Sequence, residues 1–275
     1  LMRDEVVIEA PAVQDTLTKR FTEESLRFIR EHADEPFFLY IPHAMVHVPL
    51  HASDEFRDQS QNGRYGDAVE ELDASMGAIV AALREEGIAE DTVIVFTSDN
   101  GARGDNGGSN GPLRGRKGQT WDGGQRVPCI AWWPREIPAG SVCDELTVAF
   151  DLFPTFAKLA GARAPEMHGR DISALLRGEA GATSPHEAFY FYQMNQLQAV
   201  RSGRWKLHLP LADKRRNWGK SEGPAPLQLF DLGAEVSEET DVSKAHPEVV
   251  ARLTRSEEHT SELLSRQYLV CRLLL

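Results

Sequence analysis

Residues 92–104 read TVIVFTSDNGARG. A β-branched run with one phenylalanine breaks off into Asp99-Asn100-Gly101, as a short strand ending in a turn does. Asn-Gly is among the commonest turn dipeptides. The two polar side chains therefore either close a strand or hold a ligand, and the surrounding chain has to separate these readings.

Upstream, Tyr65, Val69, Leu72, Met76, Ile79 and Leu83 recur at alternating spacings of four and three. That spacing predicts an amphipathic helix over residues 64–87, closed by Gly87. PFFLYI (36–41), bounded by Pro36 and Pro42, predicts a buried strand, and residues 16–32 a helix with Thr18 or Thr22 as cap. Downstream, a glycine-rich loop leads to RVPCIAWW, a further strand, and DLFPTFAKLAGA (151–162) to a helix ending at Gly161.

Helix, strand, helix, strand predicts an α/β fold with a mostly parallel central sheet flanked by helices. Ligands of such sheets bind beyond the carboxyl ends of the strands. PFFLYI runs out into His43 and His47, and TVIVFTS into Asp99 and Asn100, so parallel strands would bring both polar sets to one edge.

The character changes after the stretch MHGRDISALLRGE. AFYFYQ, LQAVRSGRWKLHL and LQLFDL are short strands, with Ser202-Gly203 as a two-residue hairpin turn, predicting a small antiparallel subdomain. The expected organisation is 1–180 for the α/β part, 181–254 for the antiparallel part and 255–275 for a non-native tail. That tail, RSEEHTSELLSRQYLVCRLLL, resembles a translated sequencing adapter and carries no expected function.

The 275 residues carry a net charge of −12, which argues against nucleic acid as a bulk partner. Cys129, Cys143 and Cys271 show neither a C-x-x-C spacing nor a disulfide framework, and no apolar run reaches the length of a membrane span. The first residue is Leu rather than Met, and the chain is expected to be a fragment.

Asp99 and Asn100 offer hard oxygen donors suited to Ca²⁺ or Mg²⁺. HAMVHVPLH spaces His43, His47 and His51 four apart, but Ala44 replaces the glutamate of a zinc-protease helix and Pro42 and Pro49 oppose a helix. A histidine at a sheet edge can protonate a leaving group. His43 and His51 are better read as loop histidines making one hydrogen bond each. GPLRGRKGQTWDGG gathers Arg114, Arg116 and Lys117 among glycines, either an anion cradle or a flexible basic loop, and it lacks the Gly-Lys-Ser/Thr of a P-loop. The RGD at 103–105 is too short a match to carry a meaning.

Taken together, PFFLYIPHAMVHVPLHAS, RYGDAVEELDASMGAIVAALREEGIAEDTVIVFTSDNG and GPLRGRKGQTWDGGQRVPCIAWWP closely resemble the sulfatase family of the alkaline-phosphatase-like superfamily. The resemblance spans residues 1–254 and is strongest for arylsulfatases and N-acetylgalactosamine-6-sulfatase-like enzymes. It implies a sulfuric ester hydrolase acting on a sulfated small molecule or glycan, outside the cytoplasm. Asp99 and Asn100 match the family's calcium ligands. His47 matches the histidine that contacts the ester and protonates the leaving oxygen, and Lys117 the lysine that binds sulfate oxygens.

The departures are as specific. The family's formylglycine arises from a C/S-x-P-S-R motif, and none occurs in these 275 residues. The paired aspartates of the family's metal site, and the lysine and histidine that follow its nucleophile, are missing as well. Ala102 stands where many relatives have proline. The chain alone is therefore expected to be inactive and to fold poorly. The competing expectations are a phosphonate monoester hydrolase or phosphodiesterase of the same superfamily, or a non-catalytic binder of sulfated glycans.

Overall fold

The computed structural model describes residues 1–216 and 219–255, in two compact units. The first comprises Leu1–Ile94, Asp105–Gly108 and Trp132–Glu136; the second comprises Val95–Gly104, Ser109–Ala131 and the chain from Ile137 onward.

In the first unit a minimal antiparallel pair, β1 (Met2–Arg3) and β2 (Val6–Val7), precedes α1 (Leu17–Glu31) and α2 (Gly63–Glu85). The two helices pack around Ile29, Ile79, Ala82 and Leu83. The predicted caps are not used. Thr18 is buried inside α1, and the Thr22 hydroxyl donates back to the Thr18 carbonyl and lies 2.7 Å from the Ser75 hydroxyl of α2.

The buried face of α2 is also not the purely apolar one. Val69 is exposed, whereas Asp67, Glu71 and Ser75 are buried. Asp67 accepts the backbone N–H groups of Ser60, Asp58 and Gln59, and Glu71 that of Ser53 at 3.0 Å. These carboxylates satisfy the amides of the preceding loop, and the Ser60 amide is the main cause that holds the Asp67 carboxyl below its usual range. Gly87 closes the helix with φ +75°.

Residues 36–42 correct the expected buried strand. They form no strand, and they alternate: Phe37, Leu39 and Ile41 pack on the helix core while Phe38 and Tyr40 are 70% and 74% exposed. A run apolar on both faces needs cover on both, and among the described residues only one face has it.

β3 (Ile94–Thr97) pairs with β4 (Cys129–Trp132) in a two-stranded sheet. The larger, mostly parallel sheet expected for the α/β part is not formed among the described residues.

In the second unit α3 (Asp122–Gln125), α4 (Leu152–Leu159, followed by Gly161 at φ +71°) and α5 (Ser173–Leu176) precede a four-stranded sheet. Its strands β5 (Phe189–Gln193), β6 (Gln196–Ser202), β7 (Trp205–His208) and β8 (Gln228–Asp231) are antiparallel in sequential order, as the sequence predicts. The β6–β7 turn is Gly203-Arg204, one residue later than predicted, because Ser202 pairs with Trp205.

One face of this sheet, with Val200, Leu207 and Leu229, packs on Val249 and Leu253 of a last helix, α6, residues 247–255. The register puts Lys206, His208, Arg201 and Phe230 on the other face. Apart from Arg255 in α6, the expected non-native tail, Cys271 included, lies outside the described residues.

Candidate active site

β3 delivers Asp99-Asn100-Gly101 at its carboxyl end, in the second unit, and the loop carrying Lys117 is zipped to that turn by backbone bonds. Gly101 N–H donates to the Gly124 carbonyl at 3.2 Å and Lys117 N–H to the Ala102 carbonyl at 3.1 Å. Gly123 N–H closes the loop on the Arg114 carbonyl at 2.7 Å.

Only glycine permits this approach. A Cβ at Gly101 would lie 1.9 Å from the Gly123 oxygen, and one at Gly123 would lie 2.6 Å from the carbonyl oxygens of Arg114 and Gly115. Asn110 completes the zip. Its Oδ1 accepts the Ala102 N–H at 2.7 Å, and its Nδ2 donates to the carbonyls of Ala102 (2.8 Å) and Gly115 (3.1 Å).

Asp99 is exposed and Asn100 half-buried. A carboxylate and a carboxamide at a fixed turn fit a hard divalent cation in donor type, and supply two of the roughly six to eight oxygens that Ca²⁺ takes. Among the described residues no three His, Cys, Asp or Glu side chains gather into a complete metal shell.

His47 belongs to the first unit, exposed, with Nδ1 2.7 Å from the Val48 carbonyl. The shared sheet edge expected for His47 and Asp99 required two parallel strands, and residues 36–42 form none. His51 makes its one expected bond, Nδ1 to Asp15 Oδ1 at 2.5 Å. His43 departs from expectation. Neither ring nitrogen has a hydrogen-bond partner among the described residues, the ring sits by Phe21, and burial lowers its pKa.

The sequence reading missed what stands behind the Lys117 loop. Trp121 stacks on His208 at 4.0 Å, with the Arg114 guanidinium 3.8 Å from its ring centre. Lys206 Nζ, fully buried, donates to Asp122 Oδ1 at 2.6 Å and to Glu238 Oε1 at 2.8 Å. Glu238 Oε2 accepts the Asp122 N–H at 2.7 Å, and Oε1 lies 3.1 Å from His208 Nε2. Burial pushes the Glu238 carboxyl up, but the His208 hydrogen bond and the Lys206 ammonium outweigh it and leave the pKa lowered. Burial pushes His208 down to about 4, so the ring is neutral at pH 7. The only signal was the alternation WKLH, which places Lys206 and His208 on one strand face and reads equally well as a solvated edge.

Two further side chains tie loop to sheet. A bulge between β5 and β6 frees Gln198 from the ladder, and its Oε1 accepts from Thr120 Oγ1 at 2.9 Å. Arg201 approaches Asp122 Oδ2 at 3.8 Å.

Residues 4–162 match the sulfatase family, residues 117–218 the C-terminal region of N-sulphoglucosamine sulphohydrolase and residues 184–271 the C-terminal region of aryl-sulfatase. The chain belongs to the sulfatase family. It is 45% identical over 212 residues to steryl-sulfatase of Homo sapiens, covering 73% of this chain and 36% of that protein. It is 41% identical over 211 residues to N-acetylgalactosamine-6-sulfatase of Canis lupus familiaris, covering 74% and 40% respectively.

Among solved structures, the PsFucS1 sulfatase from Pseudoalteromonas sp. superposes with a TM-score of 0.83 at 25% identity, over 95% of this chain and 56% of that one. The chain thus spans well under half the length of these two curated sulfatases. No helix among the described residues is long and apolar enough to cross a membrane.

Proposed function

We propose that this chain is the part of a sulfuric ester hydrolase that supplies one side of its sulfate and cation site. The observation that carries the reading is the bond from Lys117 N–H to the Ala102 carbonyl, which pins a basic loop beside the Asp99-Asn100 turn within a sulfatase-family chain.

In this reading Asp99 and Asn100 hold a divalent cation, Ca²⁺ or Mg²⁺. Such a cation, when bound, would supply Lewis-acid chemistry to a sulfate oxygen and would favour the ionised form of a nucleophile. Lys117 binds sulfate oxygens and supports departure of the alcohol, while His47 protonates the bridging oxygen. The formylglycine nucleophile and the remaining oxygen donors of the cation lie outside these 275 residues. Residues 1–180 are read as the C-terminal portion of the catalytic α/β domain, with β3 and β4 as members of its central sheet, and 181–254 as its antiparallel appendage. The substrate class is a sulfated small molecule or glycan.

The test is steady-state hydrolysis of an aryl sulfate by the intact product of the source gene, with Ca²⁺ and after chelation. Turnover that chelation abolishes and that Lys117→Ala lowers by about 10²–10³ in kcat supports the reading. Preference for a phosphonate monoester or a phosphodiester over the sulfate would replace it with the related hydrolase activity. Sulfated-glycan binding without turnover would replace it with a binding protein.

A further inference from the structure

Glu238 holds both ends of the loop that carries Lys117. Its backbone carbonyl accepts from Arg114 Nη1 at 2.7 Å, and its side chain accepts the Asp122 N–H at 2.7 Å. Between these two anchors lies the segment zipped to Ala102 through Lys117 N–H. Lys206 joins Glu238 to Asp122, and all three side chains have at most 1% of their surface exposed.

A buried ion cluster is a poor source of net stability, because desolvation offsets most of the attraction. What it supplies is a single geometry, since each charge has only one place where it is paired. Glu238 itself sits at φ +52°, a backbone conformation that non-glycine residues adopt only when their surroundings over-determine it.

We propose that Glu238, acting through Asp122 and Lys206, is a positioning residue of the site: it fixes the 114–124 loop from both ends and so sets where Lys117 stands relative to the Asp99-Asn100 turn. The assignment of Lys117 to sulfate rests on the reading above; the clamp itself rests on the contacts.

Two measurements on the intact gene product test it. In hydrogen exchange, Glu238→Gln is expected to speed exchange of the Lys117 and Gly123 amides at least about tenfold, with Val200 and Leu207 unchanged. Arg114→Ala, which removes the partner of the Glu238 carbonyl together with the guanidinium over Trp121, moves the same two amides in the same direction and serves if Glu238→Gln does not fold. Unchanged loop amides, or equal acceleration in β6 and β7, overturn the proposal.

In kinetics, Glu238→Gln is expected to lower kcat at least about tenfold in the parent and less than about twofold in a Lys117→Ala background, because a positioning residue acts only through the group it positions. Equal losses in both backgrounds would make Glu238 merely structural. A parent enzyme that hydrolyses no sulfate ester refutes the sulfatase reading, and the exchange comparison then decides the clamp by itself.

Discussion

Changing Asn110 to Asp would keep the acceptor for the Ala102 N–H and replace Nδ2, which donates both other bonds, by a single carboxylate oxygen facing the carbonyls of Ala102 and Gly115. Two lost bonds and the repulsion predict a loss of about 1–3 kcal/mol, read from the urea midpoint. His208 makes a pH prediction. Its folded pKa lies near 4, against about 6.5 unfolded, so acid protonates the unfolded chain first. Stability then falls as pH drops from about 6.5 to about 4, by on the order of 3 kcal/mol, and this contribution is flat below. Glu238, held under its usual 4.5, adds its own loss only below that value. Unfolding curves of His208→Gln, which keeps a donor for Glu238, are expected to fall less steeply between pH 6.5 and 4, with His43, whose pKa burial also lowers, supplying part of the slope that remains.

Among the elements, helices and C-terminal strands were legible because their periodicity is local. The four-and-three spacing found α2, the β-branched run found β3, and short strand-like runs between turn signals found β4 and β6. The face of α2 was not legible, since Asp67 and Glu71 are buried to satisfy loop amides that no spacing reveals. The Asp99-Asn100 turn and the Lys117 loop could be picked out from motif resemblance, whereas Lys206 and Glu238 act across a long sequence separation and leave no local pattern. Two substitutions probe the elements themselves. Leu83→Ala empties a fully packed position between α1 and α2 and is expected to cost about 2–5 kcal/mol in urea unfolding. Gly101→Ala drives a methyl into the Gly123 carbonyl, which is backbone and cannot rotate away. It is expected to open the Gly101–Gly124 bond, seen as lost exchange protection at the Gly101 amide, at a cost of about 1–3 kcal/mol.

Across the whole molecule, large apolar side chains stand uncovered in both units, among them Phe38 at 70%, Tyr40 at 74% and Ile130 at 62% exposure. Surfaces of this kind mark contact sites or aggregation liabilities. The 275-residue chain expressed alone is expected to bind Nile red and to elute larger than a monomer; a monodisperse monomer that leaves the dye dark would contradict this.

The Glu238 clamp also imposes an order of assembly. Arg114 and Asp122 precede it by 124 and 116 residues, so the ribosome releases the Lys117 loop long before its anchor exists. At about 5–20 residues per second, that interval is roughly 6–25 s of synthesis. A nonsense codon anywhere between Gly124 and Glu238 would leave Asp99, Asn100 and Lys117 intact in the nascent polypeptide, yet without the anchor that fixes the lysine in place.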